Sequence, residues 1–270
     1  MLTLLVNGAP AERDDLLHLA LVNYGAFTSM QAEQGADGLW GVRGLDLHLA
    51  RLRDAGLELF GAAPDEGEIR AWIRQALKDQ SGAASVRVNL FSRAISVRDP
   101  SARGAPDVMV MAGPAAAEPA GPLKLSVSRH VREVPHLKHV ATFGLIRERR
   151  EAIAAGHDDV LFADDNGRIT EGSIWNIGFL KDDTVVWPQG PMLAGTGQAL
   201  IQRGLEAVDV ATEQRWVGLP ELPDFDAAFI VNAAMIGVPV AAIGAVRYAA
   251  RPDLTVLVRT AWRSNPCQPV

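Results

Sequence analysis

The sequence predicts an α+β protein built from two domains. Short apolar or alternating runs, which are typical of strands, are interspersed with segments whose apolar residues recur at three and four positions, as in amphipathic helices. Residues 113–122 interrupt this pattern with small residues, prolines and glycines. Because such a stretch sustains neither a helix nor a central strand, we interpret it as a linker. The predicted domains are residues 1–112 and residues 123–270.

The first domain is predicted to begin with a strand over residues 1–8, because apolar and polar residues alternate there and end in Asn7-Gly8, a hairpin signal. From Asp46 the apolar residues repeat at helical spacing, which predicts a helix that ends near Gly61. Further elements predicted before the linker are a strand over 25–32, a helix over 64–78, and strands over 86–91 and 106–111.

The second domain is predicted to contain a hairpin around the turn Asp164–Gly167, since Asn-Gly favours a tight reversal. Its other strands are predicted from short apolar runs that are bounded by turn residues. The predicted elements are strands over 123–131, 159–163, 168–171, 174–180, 184–187, 212–216 (an edge strand) and 227–231, with helices over 143–155 and 197–208.

The composition excludes several classes of protein. With 270 residues, 48% hydrophobic and 21% charged, the chain has the profile of a folded soluble protein. No apolar run reaches the ~20 residues of a membrane span, and no signal peptide is recognisable, so we expect a cytoplasmic protein with no membrane partner. A net charge of -6 argues against nucleic-acid binding and favours a small-molecule substrate. The single cysteine, Cys267, and the scattered histidines predict no metal site.

Two segments carry chemically suggestive residues. Lys138 lies between His136 and His139, and only four lysines occur in the chain. A partly buried lysine near other cationic groups has the lowered pKa that Schiff-base chemistry requires. Downstream of the predicted hairpin, Glu171 is followed directly by Gly172, so that backbone can approach a ligand near one carboxylate.

Taken with four other segments, these residues occur in an order that resembles a known family. The resembling segments are Tyr24–Thr28, His48–Leu52, Lys138, Gly156–Leu161, Glu171–Asn176 and Asn232–Val240. Together they resemble the class IV aminotransferases, the fold-type IV enzymes of pyridoxal 5′-phosphate. This family includes branched-chain and D-amino-acid aminotransferases and aminodeoxychorismate lyase. The resemblance implies a two-domain, D-amino-acid aminotransferase-like fold and a homodimer.

The resemblance also implies roles for individual residues. Lys138 would bind the cofactor covalently and move a proton, with Thr28 as a catalytic helper. Glu171 would pair with the pyridine nitrogen, and Arg51 would hold the cofactor phosphate. The further cofactor contacts that the resemblance implies are Ser173, Asn176, Gly195, Thr196, Asn232 and Ala233.

The sequence departs from the family pattern at two places. Ala194 replaces a proline in the turn before the helix at Gly197, and its threonine is displaced by one position. Residues 141–143 contain no counterpart of the tyrosine that many members carry after the lysine. The cradle for phosphate would therefore consist mainly of backbone amides.

Three functions remain open at this point. The first is an aminotransferase acting on a small amino acid and a 2-oxo acid, whose carboxylate would bind Arg87, Arg93 or Arg98. The second is aminodeoxychorismate lyase, which gives 4-aminobenzoate and pyruvate, because Thr28 stands where transaminases usually carry glutamate. The third is a degenerate, non-catalytic cofactor-binding protein. We place transamination first.

Overall fold

A computed structural model describes residues 2–119 and 121–270. Met1, in the predicted first strand, and Ala120, in the predicted linker, lie outside the described residues. The chain divides into two compact units. The first comprises Met1–Ala116, Leu137–Ala141 and Pro266–Val270, and the second comprises Ala117–His136 and Thr142–Asn265. The division at Ala116 falls inside the predicted linker, but the sequence did not predict that two later segments join the first unit.

Elements alternate irregularly between helix and strand in both parts of the chain. Up to residue 116 they are β1 (Thr3–Val6), β2 (Ala9–Pro10), α1 (Arg13–Leu21), β3 (Ala26–Gln34), β4 (Trp40–Arg43), α2 (Leu45–Phe60), α3 (Glu66–Leu77), β5 (Ala83–Phe91) and β6 (Asp107–Pro114). Beyond it they are β7 (Leu123–Arg129), α4 (Phe143–Ala154), β8 (Asp159–Ala163), β9 (Ile169–Gly172), β10 (Asn176–Lys181), β11 (Thr184–Pro188), α5 (Thr196–Glu206), β12 (Thr212–Arg215), a 3₁₀ helix (Leu219–Asp224), β13 (Ala227–Val231), β14 (Ile236–Ile243), β15 (Val246–Arg247), α6 (Pro252–Ser264) and β16 (Cys267–Pro269).

The first unit is a seven-stranded antiparallel sheet in the order β16-β4-β3-β5-β6-β1-β2. Helix α2 buries Leu45, Leu49 and Leu52 in the core with residues of β3 and β5. It ends at Gly61, whose φ of +77° is accessible to glycine and whose amide donates to Leu57. The predicted end of this helix near Gly61 therefore agrees with the structure.

The C-terminal strand β16 forms one edge of this sheet by pairing with β4. Two arginines of α3 reinforce it, since Arg70 donates to the carbonyl of Pro269 and Arg74 to that of Val270. The first unit is thus assembled from three separate stretches of chain.

The second unit is a mixed nine-stranded sheet in the order β12-β11-β10-β13-β14-β7-β8-β9, with β15 paired to β14. The predicted edge strand is β12. In this unit the predicted hairpin joins β8 and β9. The Asp164 carboxylate accepts hydrogen bonds from the amides of Asn166 and Arg168, and Gly167 adopts a φ of +77°. Helices α5 and α6 pack over a second core cluster beside β13.

The sequence interpretation missed several elements and ended β6 too early. Strand β6 continues through Gly113 and Pro114, the first two positions of the predicted linker. Elements not predicted are β2, α1, β4, the 3₁₀ helix at Leu219–Asp224, β14, β15, α6 and β16. Helix α6 had a readable signal, since Leu254, Val258 and Ala261 follow helical spacing and are buried. Within residues 2–119 and 121–270, no helix is long and apolar enough to cross a bilayer.

Candidate active site

Lys138 is held at the edge of β3 in the first unit. The amide of Phe27 donates to the Lys138 carbonyl at 2.8 Å, and the amide of Val140 donates to Gly25 at 3.0 Å. An isolated bridge pairs Ala26 with His139, so Lys138 lies opposite Phe27. Because opposite residues of antiparallel strands share a face, the side chains of Lys138 and Phe27 lie together. The Lys138 Nζ is 4.8 Å from the centroid of the Phe27 ring.

Arg87 contacts the same aromatic ring. Its guanidinium carbon is 3.5 Å from the Phe27 ring centroid, and its Nε donates to Asn89 Oδ1 at 2.8 Å. Burial lowers the pKa of the Arg87 guanidinium. Arg87 also lies directly opposite Ser29 in the β3–β5 ladder. One face of the sheet therefore carries an amine, a guanidinium and a hydroxyl around Phe27.

Thr28 lies on the other face of β3. Consecutive side chains of a strand point to opposite faces, so Thr28 points away from the face that carries Phe27. Its Oγ1 is buried and hydrogen-bonds with the Nδ1 of His48 in α2 at 2.6 Å. The structure thus places the predicted helper hydroxyl in the helix-packed core and brings Ser29, which the sequence interpretation did not consider, to the lysine face.

His48 is a buried neutral histidine. Burial lowers its pKa from 6.5 to about 3, and the positive charges of Arg51 and Lys138 act in the same direction. Arg51 follows His48 by three residues in α2, which puts both on one side of the helix. The predicted phosphate ligand Arg51 therefore lies within electrostatic reach of the same histidine as Lys138.

This histidine predicts an acid-sensitive fold. In the unfolded chain His48 binds a proton below about pH 6.5, whereas in the folded chain it does so only near pH 3. Its contribution to the free energy of unfolding is therefore complete above about pH 6.5 and is lost as the pH falls toward 3. We expect His48 to contribute a loss of about 1.4 kcal/mol per pH unit within that window. Urea unfolding between pH 7 and pH 4.5 should give a shallower pH slope for His48→Gln than for the wild type. Equal pH slopes in His48→Gln and the wild type would contradict the assignment.

In the second unit, Glu171 is buried in β9 and pairs with Arg132. The Arg132 Nε lies 3.0 Å from Glu171 Oε1, and the two side chains are only 5% and 8% exposed. Arg132 Nη2 also donates to the carbonyl of Pro135 at 3.0 Å. The sequence interpretation missed Arg132, because nothing in the spacing of a lone arginine after a strand identifies a buried partner 39 residues away.

The turn after Glu171 is fixed by a buried carboxylate. Asp159 accepts from Ser173 Oγ at 2.6 Å and from Trp175 Nε1 at 3.0 Å, and it lies 3.3 Å from Arg149 Nε. Gly172 packs so closely against the indole of Trp175 that a Cβ has no room there. The hydroxyl of Ser173, a predicted cofactor contact, is therefore engaged in anchoring this turn.

The remaining predicted contacts of the second unit are connected to that turn. Asn176 Nδ2 donates to the Leu193 carbonyl at 2.9 Å and its Oδ1 abuts Gly195, which precedes α5. Asn232 Nδ2 donates to the Ile174 carbonyl at 3.1 Å, and its Oδ1 accepts from the amides of Ala234 and Met235.

The start of α5 packs on the backbone of the Asn232 loop. A Cβ at Gly197 would meet the Asn232 carbonyl, so glycine is required at this approach. Thr196 is buried as the first residue of α5, and Ala233 follows Asn232 in the adjoining loop. The amides at a helix start favour an anion.

The predicted residues thus form two sets. Lys138, Arg51 and the Thr28–His48 pair lie in the first unit; the second set consists of Glu171, Ser173, Asn176, Gly195, Thr196, Asn232 and Ala233 in the second unit. The first set offers an amine and a guanidinium group to an anionic ligand, and the second set offers a buried carboxylate and a helix start. The described residues contain no cluster of histidine, cysteine or acidic side chains arranged to hold a metal ion.

Comparison with known proteins places the chain in context. The family model described as amino-transferase class IV matches residues 25–243. Among curated proteins, no match was found.

Solved structures of similar fold cover nearly the whole chain. A branched-chain amino acid aminotransferase from Escherichia coli is 20% identical with a TM-score of 0.82, covering 97% of this chain and 93% of that chain. A fold IV transaminase from Curtobacterium pusillum is 22% identical with a TM-score of 0.78, covering 96% and 98%. The PLP form of a branched-chain aminotransferase from Thermobaculum terrenum is 18% identical with a TM-score of 0.83, covering 97% and 93%. At these identities the similarity establishes the fold, and the predicted α+β, fold-type IV class is confirmed.

Proposed function

Because the chain belongs to the class IV aminotransferase family, we propose that it transfers amino groups between a small amino acid and a 2-oxo acid with pyridoxal 5′-phosphate as cofactor. The predicted family is confirmed by the match over residues 25–243. The expected cofactor agrees with the pyridoxal, pyridoxamine and phosphopyridoxyl forms named for structures of similar fold. The observation that carries the proposal is the placement of Lys138 on an aromatic ring shared with a partly buried arginine.

The residues present fit this cofactor. Lys138 supplies the amine, and Glu171 supplies a buried carboxylate for the pyridine nitrogen. In the first unit Arg51 has a guanidinium that suits a phosphate group, and in the second unit the start of α5 at Gly195 and Thr196 has backbone amides that favour an anion. When bound, pyridoxal phosphate provides an electron sink for the negative charge that develops at the substrate α-carbon.

Lys138 then serves as the acid and base of the reaction. Its Nζ takes the α-proton of the substrate and returns a proton at the other end of the transfer. The guanidinium of Arg87 and the Nζ of Lys138 contact the same Phe27 ring. The Phe27 ring lies 4.8 Å from the amine, where it stabilises a positive charge on Nζ.

Arg87 is the best of the three arginines for the substrate carboxylate. In the part of the chain that the structure describes, no carboxylate lies within ion-pairing distance of Arg87, although its side chain is partly buried. Arg93 is already paired with Asp15 at 2.8 Å and Asp107 at 2.7 Å, and Arg98 is exposed. A partly buried cation without an anionic partner favours binding of an anionic ligand.

We expect Arg87→Met to raise KM for the amino-acid substrate by about 10²-fold, because a charge-assisted hydrogen-bonded pair contributes about 1.5–3 kcal/mol. Steady-state kinetics with the best donor would measure the change. Arg98→Met is the matched control and should leave KM unaltered. If both variants had the same KM as the wild type, another residue would bind the carboxylate.

A second candidate function, aminodeoxychorismate lyase, is supported by one specific observation. Ser29 presents a hydroxyl beside Arg87 on the strand face of Phe27, where it could assist protonation by Lys138. This position replaces Thr28 as the hydroxyl that favours the lyase. Formation of 4-aminobenzoate and pyruvate from aminodeoxychorismate would distinguish it from transamination.

The experiment that tests the proposed function is visible absorption spectroscopy of the purified protein with pyridoxal phosphate. A Lys138-dependent band that shifts on adding an L- or D-amino acid supports transamination and identifies the donor. A band that only aminodeoxychorismate alters favours the lyase. The absence of any Lys138-dependent band would leave the third candidate, a degenerate cofactor-binding protein.

We further propose that the protein is a homodimer. Helix α4 supports this, since Phe143, Ile146 and Ile153 are 78%, 56% and 53% exposed and share helical spacing. Light scattering would distinguish a dimer from the 28.9 kDa monomer. The cytoplasmic location and the absence of nucleic-acid and membrane partners stay predictions from the sequence.

A further inference from the structure

Arg132 and Glu171 form a buried ion pair whose partners come from different parts of the second unit. Arg132 follows β7, whereas Glu171 lies in β9. Their closest atoms, Arg132 Nε and Glu171 Oε1, are 3.0 Å apart, and both side chains are more than nine-tenths buried. Neither charge is therefore stabilised mainly by water.

The guanidinium is fixed by a second contact. Its Nη2 donates to the Pro135 carbonyl at 3.0 Å, so one planar group binds a carboxylate and a backbone oxygen at once. The fork of an arginine has a fixed geometry, and two contacts to it restrict its orientation. The position of Glu171 Oε1 is consequently tied to the backbone of the segment that leads toward Lys138.

The pair also determines the charge of Glu171. Arginine stays protonated at any relevant pH, and a neighbouring cation favours the ionised form of a buried carboxylate. A carboxylate has two oxygens with about four acceptor sites, so an interaction with Arg132 does not exhaust its capacity. Glu171 can thus accept a further hydrogen bond from a protonated ring nitrogen.

We infer that Arg132 is a positioning residue that holds Glu171 as an oriented carboxylate for the protonated pyridine nitrogen of the cofactor. The inference rests on the proposed function and adds to it a residue that touches neither the cofactor nor the substrate. The effect of Arg132 on cofactor binding is exerted through Glu171. Its effect is therefore specific to ligands that carry the ring nitrogen.

The test compares two ligands that differ at this one atom. Dissociation constants for pyridoxal 5′-phosphate and for its 1-deaza analogue, in which carbon replaces the ring nitrogen, would be measured on the cofactor-free full chain by fluorescence titration. We expect Arg132→Met to weaken binding of pyridoxal phosphate by about 10-fold or more, as for loss of a hydrogen bond to a charged group. Binding of the deaza analogue should change by less than about twofold, since it makes no contact through that atom.

Arg129→Met is the matched control, because Arg129 ends β7 three residues before Arg132, is exposed and donates to the Asp165 carbonyl at 2.9 Å. It should leave both constants unchanged. Arg132→Lys keeps the positive charge, and it allows the same test if Arg132→Met does not fold. It should show a smaller loss, again confined to pyridoxal phosphate.

Two results would overturn the inference while leaving the proposed function intact. If the Arg132 variants lost affinity equally for pyridoxal phosphate and for the deaza analogue, Arg132 would have a structural role only. If their dissociation constants equalled those of the wild type, Arg132 would have no role in cofactor binding. A wild-type protein without Lys138-dependent binding of pyridoxal phosphate would instead contradict the proposed function, and the inference with it.

Discussion

Replacement of Lys138 by alanine is expected to lower kcat by roughly 10⁴-fold, the upper part of the range for a lost general acid–base group. Lys138 is held opposite Phe27 by backbone pairing at the edge of β3, and its Nζ contacts that ring. Under the proposed function, the substitution removes both the covalent attachment point and the group that moves the proton. The variant should retain the fold, because the pairing of β3 uses the backbone of residue 138 and not its side chain.

Lys124→Ala provides the matched control for this experiment. Lys124 is an exposed lysine of β7, and its substitution should leave both activity and the visible absorption band of the loaded protein unchanged. Borohydride should attach the cofactor to the wild type and to this control, but not to Lys138→Ala. Residual activity within about 10-fold of the wild type in Lys138→Ala would show that another group carries the proton.

Replacement of Glu171 by glutamine is expected to reduce both activity and stability. Under the proposed function it removes the negative charge that would pair with the ring nitrogen, for which we expect a loss of roughly 10²-fold or more in kcat/KM. It also leaves Arg132 as a buried cation without its partner, which costs about 3–5 kcal/mol in the free energy of unfolding. Steady-state kinetics and urea unfolding measure the two effects separately.

The double variant Arg132→Met/Glu171→Gln separates the two causes. Because it removes both charges, it should be more stable than Glu171→Gln alone, while its activity stays low. If the change in the free energy of unfolding of the double variant equalled the sum of the changes in Arg132→Met and Glu171→Gln, a direct ion pair would be contradicted. Recovery of activity in the double variant would contradict the role assigned to the carboxylate.

The sequence predicted local elements well where a strong signal coincides with a physical requirement. Helix α2 ends at Gly61 because only a glycine adopts the positive φ there without strain, and the hairpin before β9 closes on Asp164 and Gly167 for a similar reason. Lys138 and Glu171 were predicted as site residues because each lies beside sequence features that resemble a family, and their roles stay predictions. These predictions needed no knowledge of distant contacts.

Other features depend on contacts that a single sequence does not reveal. The pairing of Arg132 with Glu171 joins residues far apart in the chain, so neither residue type alone predicts it. Thr28 was selected for its hydroxyl, yet the alternation of side chains along β3 directs it to His48 and directs Ser29 to the lysine face. That alternation was available from the sequence, but assigning a face required the location of α2 and Lys138.

The three-piece composition of the first unit constrains how the protein folds during synthesis. Its central strands are made early, but the segment Leu137–Ala141 that borders β3 is made later, and the edge strand of Pro266–Val270 is made after the second unit. Domains generally fold as units, beginning with the part that leaves the ribosome first. Here the first unit stays incomplete until residue 270 has emerged, so the segment that carries Lys138 docks on a sheet that already has partial structure. Stalled or truncated translation products would expose the unpaired edge of β4 and would be prone to aggregation.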